Sequence, residues 1–178
     1  FPIFGPTDLV ARITVALVGG LLPLVAWLFR DRLQDVEMVI LGGFLALNPI
    51  LLYYSRFMRN DVLVAAFALF ALGSFVRLAD TGKHRYLYAG VLGLVLGFAT
   101  KEIIVVYLAV WVGATVLLLD HRLFSARASE HRWQSIIKEY LRDGYRTGKR
   151  YWVPGVIAIL EFLLLIVLFY APRPDLYQ

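Results

Sequence analysis

The sequence predicts an all-α protein, a bundle of helices that crosses a membrane several times. Three observations carry that reading. Sixty per cent of the 178 residues are hydrophobic, and the mean hydropathy is +0.71, well above that of a soluble domain with a charged surface. Several apolar runs approach or exceed the roughly 20 residues a helix needs to cross about 30 Å of hydrocarbon. None shows the short alternating stretches of a membrane β-barrel, and lipid demands that each span satisfy its own backbone hydrogen bonds.

The elements follow in order as one transmembrane domain covering 1–178, with six spans. The first, 9–29, has Thr7 or Asp8 as a possible N-cap, Pro23 as a kink and Arg30 and Arg32 at its end. The second, 36–54, is interrupted near its far end by Asn48-Pro49. The third, 61–78, is followed by the polar turn ADTGKHR, and Lys101-Glu102 separates the fourth, 86–100, from the fifth, 103–119. A polar segment, 121–150, precedes the sixth span, 151–170; its Trp133, Ile136, Ile137, Tyr140 and Leu141 recur at helical spacing, as in an amphipathic helix on an anionic leaflet. Small residues such as Gly93-x-x-x-Gly97 are expected to let helices pack closely. Phe1 reads as the end of an external loop, so an excerpt of a longer protein is expected.

Charge sets the orientation. If the turn after the first span is cytoplasmic, thirteen of the eighteen Lys and Arg residues fall on that side, leaving Arg12, Arg56, Arg59, Lys101 and Arg173 outside. Topology therefore accounts for most of the net charge of +5, and a nucleic-acid partner is not expected. The absence of cysteine excludes disulfides and thiolate chemistry. His84, His121 and His131 lack metal-like spacing, so no metal site or cofactor is indicated; a requirement for a divalent metal is left open.

The chemistry concentrates in YYSRFMRND at 53–61 and in Lys101-Glu102, predicted to share the external face of the cell membrane. Singly, these residues have structural readings: Arg56 and Arg59 could reach up to headgroups, and Asp61 could cap the third span. Together they suit a lipid-linked phosphate, because two guanidiniums beside a carboxylate can hold a phosphate bidentately. Arg56 and Asn60, and Ser55 and Arg59, would share helical faces. Asp8, Asp61 and Glu102 are candidate bases, none of them singled out, and Glu161 is a mid-span acid that is neutral or paired within the bundle.

The segments FGPTDLVARI, LNPILLYYSRFMRNDVLVAAF and GLVLGFATKE resemble the multispanning glycosyltransferases of the C superfamily. They are similar to the dolichyl-phosphate-mannose protein mannosyltransferases, and above all to the prokaryotic, especially haloarchaeal, branch labelled flippase-activity-associated in N-glycosylation. The resemblance implies an inverting enzyme that takes a sugar from a polyprenyl-phosphate donor on the external face. It also implies that Arg56, Arg59, Asp61, Lys101 and Glu102, with Arg12 from the wider FG-x-x-D-x-x-AR motif, bind the donor, while the general base is an acid of a loop before Phe1. The acceptor is left undefined. Two other readings are a non-catalytic protein that binds or helps translocate lipid-linked sugars, and a secondary transporter, for which Asn48-Pro49 and Glu161 are the hints.

Overall fold

A computed structural model describes the chain over residues 8–56, 59–128 and 133–170; the side chains of 8–11, Arg56 and most of 119–147 lie outside that description. Every regular element among the described residues is helical, as the composition predicts: α1 (Asp8–Leu21), a 3-10 segment (Leu22–Phe29), α2 (Asp35–Leu47), α3 (Pro49–Arg56), α4 (Asp61–Thr81), α5 (Arg85–Thr100), α6 (Ile104–Ala128) and α7 (Trp133–Tyr170).

Three stretches among the described residues are long and apolar enough to cross a membrane: Arg12–Phe29, Asp61–Thr81 and Gly148–Tyr170. A fourth span results if α2 and α3 are counted together across their 46° bend. This is fewer than the six expected. The shortfall lies in α5, whose 16 residues rise about 24 Å, and in the apolar part of α6, Ile104–Leu118, which rises about 22 Å; both fall short of a hydrocarbon core about 30 Å thick.

The bend in the second span has a local cause. Asn48 is extended (φ −60°, ψ 117°), and its Oδ1 accepts from the backbone N–H of Ile50 at 2.9 Å and of Leu51 at 3.2 Å. Asn48 is thus an N-cap and Pro49 the first residue of α3, where its missing N–H costs nothing.

The chain forms two units. The first comprises residues 1–104 and 158–178, and its core is the antiparallel pair of α4 and α5 with the 3-10 segment against α4. Gly82, at φ 65°, makes the left-handed turn between α4 and α5. Glycines permit the close approach expected of them: an added Cβ at Gly90 would meet the Phe75 ring at 2.6 Å, and one at Gly93 would meet Phe70 at 3.0 Å. Val91 and Val95 of α5 pack with Ala158, Phe162 and Leu165 of α7. At the far end of α4, Arg77, only 3% exposed, pairs with Asp31 and lies over the Tyr86 ring. Beside it Arg32 Nη2 donates to Asp80 Oδ1 at 2.8 Å, which raises the guanidinium pKa above its ordinary value. The second unit, residues 105–157, holds most of α6, which runs to Ala128, and the first part of α7, which starts at Trp133, so both helices extend into the polar segment 121–150.

Candidate functional site

At the start of α4, Asn60 takes the cap position through its carbonyl, which accepts from Val64 N at 3.0 Å. Asp61 is therefore the first helical residue rather than the cap, and its carboxylate is turned toward cations. Lys101 Nζ donates to Asp61 Oδ1 at 2.8 Å, and Arg59 Nε lies 3.3 Å from Oδ2.

Lys101 reaches Asp61 because α5 ends there. Lys101 is extended (φ −167°, ψ 139°), and its N–H closes the last turn on the Gly97 carbonyl at 3.0 Å. The side chain is thereby thrown across to the neighbouring helix, whose first residue is Asp61. Asn60 Nδ2 spans the same gap to the Thr100 carbonyl at 3.5 Å. Arg59 is held from its other side by Tyr54 of α3, whose ring centroid lies 5.2 Å from the guanidinium carbon.

The three charged side chains are partly open to solvent, at 59% for Arg59, 38% for Asp61 and 39% for Lys101. Ion pairs so exposed add about 0–1 kcal/mol to stability. The corner is thus a weak fastener with two cations that a ligand can reach. Two cations and one carboxylate leave a net positive charge, and the carboxylate fixes where both cations point.

Of the six expected site residues, the structure brings Arg59, Asp61 and Lys101 into direct contact. Glu102 is exposed in the turn that follows Lys101. Arg56 is the last residue of α3, with its side chain outside the described set. Arg12 lies on α1 seven residues before Gly19, the residue beside Val62, about 10 Å along the helix axis. Asp8 lies at the start of the same helix, its side chain outside the described set. Tyr54 is a member of the corner that sequence reasoning did not single out; its place five residues before Arg59 was the available signal. No group of three His, Cys, Asp or Glu residues able to hold a metal occurs among the described residues.

The family model described as dolichyl-phosphate-mannose-protein mannosyltransferase matches residues 1–134, three quarters of the chain. The chain belongs to this family. It is thus an integral membrane protein of a glycosyltransferase family, and the match contains all six expected site residues. No curated protein and no solved structure gives a match.

Proposed function

We propose that the protein transfers a sugar from a polyprenyl-phosphate-linked donor on the external face of the cell membrane, and that Arg59, Lys101 and Asp61 form the corner that takes the donor phosphate. The observation that carries this reading is the bracketing of Asp61 by Lys101 at 2.8 Å and Arg59 at 3.3 Å. The cations come from two motifs some forty residues apart and remain accessible. Arg56, Glu102 and Arg12 belong to the same proposed surface, and the excess of basic residues at the opposite end of α4 supports an external position for the corner. The motif resemblance to the flippase-activity-associated branch of archaeal N-glycosylation supports the donor class.

In transfer, the acceptor's hydroxyl oxygen bonds to the sugar's anomeric carbon as the bond between that carbon and the phosphate oxygen breaks, and negative charge grows on the departing phosphate. Arg59 and Lys101 are placed to stabilise that charge, with Asp61 keeping both in position. The acceptor's hydroxyl proton passes to an acidic general base, as the family resemblance implies, and Arg59, Lys101 and Asp61 are not given that role.

Binding of a polyprenyl-phosphate sugar in nanodiscs tests the proposal. Arg59→Ala and Lys101→Ala should each weaken it by about tenfold or more, the equivalent of about 1.5–3 kcal/mol for a charge-assisted contact. Unchanged binding in folded variants would leave the corner as a helix fastener only.

A further inference from the structure

An apolar groove lies in the first unit, apart from the charged corner. The groove, of about 530 Å³ between the 3-10 segment, α4 and α5, is lined by Leu22, Val25, Phe67, Phe70, Leu92 and Leu96, among other apolar side chains, and by a single charged residue, Arg30. Its size falls within the range of small-ligand clefts. Its rim is open, with Leu24 at 64% and Trp27 at 63% exposure. Arg59, Asp61 and Lys101 do not line it.

The charges at its end select the occupant. The turn after the 3-10 segment carries three consecutive charged residues, of which Asp31 is taken by Arg77 and Arg32 by Asp80. Arg30 has no carboxylate partner among the described residues, and its guanidinium carbon lies 5.2 Å from the centre of the Trp27 ring. Glu37, on the following helix, is engaged by the backbone N–H of Gln34 at 2.8 Å. A Trp and an Arg at the mouth of an apolar groove match a molecule with a hydrocarbon chain and an anionic head.

Length narrows the choice. The Asp31–Arg77 pair sets the level of the turn, and the groove extends to Ala66, eleven residues back along α4, about 16 Å. Half of a hydrocarbon core about 30 Å thick is close to that value. The groove therefore accommodates a chain one leaflet long that enters from the Arg30 end, opposite the Asp61 corner.

We propose that this groove holds an acyl chain of an anionic membrane phospholipid whose phosphate is met by Arg30. The lipid is a resident of the leaflet opposite the proposed donor corner and is distinct from the donor. It would fill the gap beside the 3-10 segment, where close helix packing does not.

The test uses phosphatidylglycerol with a photoreactive acyl chain, in phosphatidylcholine nanodiscs containing the protein, with labelled peptides mapped by mass spectrometry. Labelling is expected on the 3-10 segment, α4 and α5. Arg30→Gln should lower it about fivefold, the worth of one basic residue at an anionic surface, and should leave polyprenyl-phosphate sugar binding unchanged. Leu92→Trp, at the exposed rim, should block labelling by filling the groove. Four results would overturn the proposal: equal labelling by a phosphatidylcholine probe, no effect of either substitution, displacement by a polyprenyl phosphate, or no labelling because protein fills the groove. Labelling that persists in Arg59→Ala while donor binding is lost separates this site from the donor corner.

Discussion

Two neighbouring ion pairs have different consequences because their burial differs. Arg77 is almost wholly enclosed and Asp31 half-exposed, whereas Arg32 at the neighbouring pair is 55% exposed. Asp31→Asn strands a buried guanidinium and should cost about 2–4 kcal/mol, at or below the usual range for breaking a buried pair. Asp80→Asn should cost less than about 1 kcal/mol. Thermal unfolding of the two variants in the same detergent reads the difference, and equal shifts would refute it. Lys101→Gln belongs with the second class: its half-exposed pair should change the unfolding midpoint little, even where donor binding falls about tenfold.

Among the elements, the 3-10 segment is unusual, since such helices rarely exceed three or four residues and this one has eight. Pro23 sits in its first turn, and the extra rise per residue stretches the chain along α4. It comes so close that a Cβ at Gly73 would lie 2.8 Å from both Cβ and Cδ1 of Leu28. Because Leu28 Cβ is tied to the backbone, Gly73→Ala should destabilise the protein by about 1–3 kcal/mol through overpacking. Gly43, which has open space around it, should accept Ala without such a loss, and comparing the two unfolding midpoints tests the contact. At the bend, Asn48→Ala removes the cap of α3 and should cost about 1 kcal/mol.

The first unit has charges gathered at both ends of α4, with Arg59, Asp61 and Lys101 at its start and Asp31, Arg32, Arg77 and Asp80 toward its finish. The proposed orientation makes the first end external. Since the sequence contains no cysteine, single cysteines can report it directly. Glu102→Cys in intact cells should react with a membrane-impermeant maleimide, and Lys83→Cys should react only after permeabilisation. The reverse pattern would invert the topology and move the proposed donor corner to the cytoplasmic side.

Hydropathy and length alone determined that this is a helical membrane protein, because lipid leaves a continuous apolar run few other ways to satisfy its backbone. Local chemistry was equally legible where cause and effect lie within a few residues, as at Asn48-Pro49, which ends one helix and caps the next. Span number was not so legible: the end of the fourth run at Thr100 was read correctly, but the 16 residues of α5 are too few to cross the hydrocarbon core. Nor could sequence separate the roles of the charges. Arg32 and Arg77 look alike as loop-side cations, yet one is exposed and the other enclosed by Asp31 and Tyr86. Only the tertiary structure decided that Lys101 meets Asp61 forty residues away and that Gly19 of α1 is the residue set beside Val62, because such contacts depend on how helices pack and where each one stops.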